Sequence, residues 1–112
     1  MNQKLKAKFI IFGGRILFGD VKYHNLLIPR NKKYWERESG GGEIIIDFEN
    51  KVIGFEGQSF QFGMADPLST KMLFEKDKED IISNLEMFCE TRLQTPIVLE
   101  GFDVWIYGKQ IN

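Results

Sequence analysis

Residues 43–56 read EIIIDFENKVIGFE, two β-rich runs on either side of Glu49 and Asn50. Isoleucine, valine and phenylalanine suit a pleated, half-buried surface, and two polar residues between such runs have the spacing of a tight turn. The stretch predicts a β-hairpin with Ile44, Ile46, Ile53 and Phe55 on its core face. A hairpin with one apolar face needs more sheet beside it and a layer to cover that face. The flanking sequence supplies both.

On the N-terminal side, KLKAKFIIF (4–12) alternates, with Leu5, Ala7, Phe9 and Ile11 on one side and Lys4, Lys6 and Lys8 on the other. That is the pattern of a half-buried strand, with Lys8 on the polar face. Gly13 and Gly14 punctuate the chain, and RILFGDVKYH (15–24) predicts the partner strand. Leu17, Val21 and Tyr23 fall on one of its sides, and Phe18, Lys22 and His24 on the other. Pro29 closes NLLI, and RNKKYWERES (30–39) reads as either a loop or one short helix anchored by Trp35.

On the C-terminal side, QSFQFG (58–63) reads as a strand with Phe60 and Phe62 inward and Ser59 and Gln61 outward, ending in a loop at MADP (64–67). From Asp77 the period changes. Ile81, Ile82, Leu85, Phe88, Cys89 and Leu93 recur at three and four residues, and acidic Asp77, Glu79 and Asp80 suit the positive end of a helix. Pro96 ends it, and PIVLEGFDVWIYG (96–108) returns to β-rich composition. The expectation is an α+β domain: about six short strands in a mixed sheet, with one long helix packed on one face.

A chain of 112 residues, 43% hydrophobic, fills one core, so residues 1–112 read as a single domain. Fifteen Lys and Arg against sixteen Asp and Glu give a net charge of −1, which offers no field to draw nucleic acid or an anionic membrane. The FQF stretch lacks the interleaved Arg and Lys of a single-strand platform. KFIIFGG is too short for a signal-peptide core or a span. With Cys89 the only cysteine, no intrachain disulfide forms, and the cytoplasm is the expected location.

One histidine and one cysteine do not make the three or four ligands a zinc site takes, so neither a metal nor another cofactor is expected. Cys89 falls on the apolar helix face and reads as a packed thiol. Asp47 reads as a solvated strand residue. His24 offers an imidazole, a side-chain type fit for a general base, acid or nucleophile, or is simply a surface or partly satisfied histidine. Gly40, Gly41 and Gly42 fit either a backbone nest for an anion or a tight turn with positive φ.

KFIIF (8–12), VKYH (21–24), GGGEI (40–44) and NKVIGFEGQSFQFG (50–63) stand in the order found in the phosphohistidine phosphatase, or Janus, family, which the chain resembles over roughly residues 8 to 70. That family has a lysine opening its first long strand, a tyrosine-histidine pair, a triple glycine opening a strand, and the pattern G-x-S-x-x-[YF]-G. The corresponding residues are Lys8, Tyr23–His24, Gly40–Gly42 and GQSFQFG (57–63). The resemblance implies a small domain that removes phosphate from phosphohistidine without a metal. It makes His24 the general base or phosphate acceptor and Lys8 a phosphate contact, with backbone N–H groups around Ser59 and Gln61 holding the phosphate oxygens. The partner it implies is a phosphorylated protein or a small anionic ligand. Glu43 departs from the pattern, standing where those phosphatases carry an arginine at the site's rim. The alternative expectation is therefore a non-catalytic binding or interaction module on the same scaffold, and the sequence leaves the oligomeric state open.

Overall fold

The computed structural model describes residues 3–30 and 38–111. Six strands form one mixed sheet: β1 (Lys4–Phe12), β2 (Arg15–Gly19), β3 (Glu38–Asp47), β4 (Val52–Glu56), β5 (Asp103–Ile106) and β6 (Lys109–Gln110). Their order across the sheet is β2-β1-β3-β4-β5-β6. All neighbours are antiparallel except β4 and β5. Parallel neighbours need a long crossover, and here it carries two helices, α1 (Pro67–Lys76) and α2 (Lys78–Leu93). The α+β expectation holds, with two helices where the sequence predicted one.

The 43–56 hairpin forms with the predicted core face: Ile44, Ile46, Ile53 and Phe55 are all buried. Its turn is longer than two residues, because pairing ends at Asp47 and Val52. The Asp47 carboxylate accepts from the Asn50 N–H at 3.1 Å and the Asn50 side-chain amide at 2.9 Å, which stabilises the wider loop. Asp47 is accordingly buried and not a solvated strand residue. Leu5, Ala7, Phe9 and Ile11 of β1 extend the same face, which packs on Phe74 of α1 and Ile81, Leu85 and Cys89 of α2. Edge-to-face contacts of Phe55 with Phe9, at 5.4 Å, and with Phe74, at 5.6 Å, tie sheet to helix. Each such pair adds about 0.5–1.5 kcal/mol beyond burial.

Helix α1 replaces the expected loop. Asp66 caps it, its carboxylate accepting from the Ser69 N–H at 2.8 Å, and Pro67 opens its first turn. Three further expectations are corrected. The second strand stops at Gly19, so His24 opens a short 3₁₀ helix (His24–Leu27) and is buried, not placed on a strand's polar face. Residues 58–63 form a turn, with Ser59 buried and Phe60 fully exposed, the reverse of the predicted facing. The sixth strand is instead β6, joined to β5 through Tyr107 and Gly108, both at positive φ as a two-residue hairpin turn requires. The predicted loop or helix over 30–39, with its Trp35 anchor, lies largely outside the described residues.

The triple glycine also lies inside a strand and not in a turn. One β1 residue, Ile11, faces both Ser39 and Gly40, a bulge that Gly40 accommodates at φ 89°. Gly42 lies so close under the end of β4 that a methyl group there would collide with the Glu56 carbonyl and stand 3.0 Å from the Gly57 carbonyl and the Phe9 ring.

Candidate functional site

On β1, odd-numbered residues face the helices, so Lys8 and Ile10 leave the opposite face of the sheet. There the chain after β2 folds back as the 3₁₀ helix and lays His24 over the β1–β3 boundary. A Cβ on Gly41 would stand 3.1 Å from Ile10 Cγ2 and 3.3 Å from His24 Cδ2, so this bare backbone makes room for the imidazole. The His24 side chain is 7% exposed.

His24 Nε2 lies 2.8 Å from the Gly42 carbonyl oxygen. A carbonyl only accepts, so Nε2 carries the proton and Nδ1 of the neutral ring keeps its lone pair. Every buried side-chain polar atom among the described residues has a partner, and none is bonded to Nδ1, so that edge of the ring reaches the adjoining cleft. The third glycine of the motif thus sets the tautomer of the histidine eighteen positions before it.

The cleft holds about 550 Å³ and is lined by Lys8, Lys22, Tyr23, His24, Glu43, Gln58, Phe60 and Gln61. The structure therefore brings together Lys8, His24, Gln61 and Glu43, which the sequence reading singled out from four separate segments. Lys22 Nζ lies 5.4 Å from the centre of the Tyr23 ring, and this second cation was not among the predicted site residues. Its position two residues before His24 was the available signal. Glu43 is the register partner of Lys8, so its side chain leaves the same face and enters the same cleft.

Ser59 and the backbone around Gln61 are used differently from the expectation. Ser59, 2% exposed, accepts through Oγ from the N–H groups of Gln61 at 3.2 Å and Phe62 at 3.1 Å. Its own N–H donates to the Gly63 carbonyl at 3.0 Å, and the Gly63 N–H returns to the Ser59 carbonyl at 2.9 Å. These donors are engaged within the turn, which is thereby held rigid at the mouth of the cleft. The Gln61 side chain crosses to the histidine segment, its Oε1 accepting from the Asn25 N–H at 3.0 Å.

Among the described residues, no group of three or more His, Cys, Asp or Glu side chains is placed to hold a metal ion, and no helix is long and apolar enough to cross a membrane. Cys89 is fully buried, and its thiol is pushed up to about 11 by burial and by the nearby Glu86 and Glu90 carboxylates. No family model, curated protein or solved structure matches this chain.

Proposed function

We propose that the cleft is a histidine-centred phosphoryl site and that the protein removes phosphate from phosphohistidine without a metal, as its resemblance to that phosphatase family implies. The observation that carries the reading is the His24–Gly42 bond, which orients the imidazole with Nδ1 toward a cleft that also holds Lys8 and Lys22. An oriented base or nucleophile beside fixed positive charge is what phosphoryl transfer requires.

Two routes use the same atom. With His24 as acceptor, the Nδ1 lone pair attacks phosphorus while the P–N bond to the substrate imidazole breaks, and that leaving nitrogen takes a proton from water. The hydroxide so formed then attacks phosphorus on the phosphorylated His24, breaking its P–N bond, releasing inorganic phosphate and restoring the neutral ring. With His24 as general base, Nδ1 takes a proton from the attacking water and passes it to the departing nitrogen. In both, the Gly42 carbonyl stabilises the ring when it gains positive charge, and the lysines balance the phosphoryl oxygens.

A second reading, a non-catalytic binding module, is favoured by the presence of Glu43 in the cleft. A carboxylate about 4 Å from a phosphate repels it by about 1 kcal/mol per unit charge in water and about 4 at an effective dielectric of 20. Hydrolysis of a phosphohistidine peptide by the protein and by His24→Ala separates the readings. The phosphatase reading expects release well above background by the parent alone. Equal rates at background for both proteins would refute it and leave the binding module.

A further inference from the structure

Lys8 and Glu43 are paired across β1 and β3, so their side chains start about 5 Å apart on one face. Opposite charges at such positions ordinarily close on each other. Among the described residues no ion pair joins them. The Glu43 carboxylate turns instead toward the end of β4, where its Oε1 is 3.8 Å from the place a Cβ on Gly57 would take. Lys8 stays on the β1 side, and Lys22, in the segment after β2, lines the same cleft. One wall of the cleft is thus positive and the other negative, with His24 over the boundary between them.

Across β3 and β4, Glu43 is paired with Glu56. Like charges facing each other in a sheet are unfavourable, and both side chains pull apart. Glu56 leans toward Gly54, its Oε1 3.7 Å from the Cβ position there, and lines a separate hollow beside Asp47 and Trp105. Glu43 is left as the anion that faces the cleft, and a purely anionic ligand would leave it without compensation.

Building on the phosphoryl reading of this site, we propose that its ligand carries its own cation beside the phosphoryl group. The phosphoryl group lies toward Lys8 and His24, and an ammonium or guanidinium group meets Glu43. For a phosphohistidine protein, this selects a phosphorylated histidine with a lysine or arginine close to it. Glu43 is then the specificity-determining residue, favouring zwitterionic over simple phosphate ligands.

The test uses two probes of nearly equal size, 2-aminoethyl phosphate and propyl phosphate, titrated into the intact protein and followed by amide and imidazole NMR at low salt. The parent is expected to bind the aminoethyl compound about fivefold more tightly, a difference of close to 1 kcal/mol. Glu43→Gln is expected to abolish that preference while still binding propyl phosphate. Glu56→Gln, a control of the same chemistry outside the cleft, is expected to retain it. Equal affinities in the parent would overturn the proposal and leave the phosphoryl site standing, as would a preference that survives Glu43→Gln. Failure of both probes to shift His24 would overturn the phosphoryl site and the proposal together. Amide spectra of the two variants that match the parent outside the substituted strand exclude misfolding as the cause.

Discussion

Replacing Gly42 by alanine tests the packing that holds the site. The added methyl group collides with the Glu56 carbonyl and lies 3.0 Å from both the Gly57 carbonyl and Phe9 Cε1. Two of those neighbours are backbone carbonyls, at the last residue of β4 and the one after it, and cannot rotate aside, so the end of β4 must move away from β3 and the Phe9 ring must shift. Overpacking of this kind costs about 1–3 kcal/mol, and the rigidity of the neighbours puts this site at about 3. An unfolding entropy of roughly 2.1 cal/mol/K per residue, over 112 residues, gives about 0.24 kcal/mol per degree, so Tm should fall by about 13 °C. Gly14→Ala is the comparison: Gly14 sits at φ 75° with no atom within 4 Å of its Cβ position, so alanine there meets only the left-handed strain of about 1–2 kcal/mol. Thermal unfolding of the two variants by circular dichroism checks the order. A Gly42→Ala protein that melts within about 4 °C of the parent, or above Gly14→Ala, would refute the close approach and return the triple glycine to a simple loop.

Gln61→Ala removes the oxygen that holds the Asn25 N–H, and should raise phosphate affinity by up to about tenfold, read from the Asn25 amide shift; unchanged affinity would show that this bond does not compete with an anion. Cys89, with its thiol pushed up to about 11 and its side chain buried, should label with a thiol reagent at neutral pH only as fast as the protein opens; rapid labelling of the native chain would contradict its packing. Asp47 is held below the ordinary carboxyl value of 3.8 chiefly by the Asn50 side-chain amide, and Asp66 chiefly by the Ser69 N–H. A carboxyl lowered by folding contributes stability that is full above its ordinary value and is lost as pH falls through the folded one. Urea midpoints should therefore decline below about pH 4, and less steeply in an Asp47→Asn, Asp66→Asn double variant; parallel profiles would refute the assignment.

The legible parts of the fold were those in which one period ran without interruption. Alternation fixed β1 and the core face of the 43–56 hairpin, and the three-and-four spacing found α2, because burial on a single face writes itself directly into those runs. The misreadings came where hydrogen bonds overrode the alternation. Phe60 and Phe62 alternate with polar residues, but Ser59 Oγ gathers two N–H groups and turns the chain, which sends Phe60 outward. Helix α1 lacks a strong apolar stripe, burying Thr70 and Phe74 and leaving Leu68 and Met72 exposed, so only the Asp66–Pro67 cap marked it. The strand glycines read as a turn because glycine carries no side chain to reveal a face; their reason lies in close backbone at Met64 and Ala65 for Gly40, at Phe9 for Gly41 and at Glu56 and Gly57 for Gly42, with the His24 ring beside Gly41. His24, Lys8, Glu43 and Gln61 were singled out one by one, and their lining one cleft, like the part of Lys22 and the bond from His24 to Gly42, depends on how the chain folds back after β2.

His24 is the chain's only histidine, so its imidazole nitrogens can be observed without overlap. A ¹⁵N-labelled imidazole spectrum of the neutral ring, recorded before and during addition of phosphate, tests the central claim most directly. The account predicts a protonated Nε2 held by the Gly42 carbonyl, an unprotonated Nδ1, and a saturable shift of Nδ1 as phosphate enters the cleft. A ring protonated at Nδ1, or an Nδ1 signal indifferent to phosphate, would contradict it.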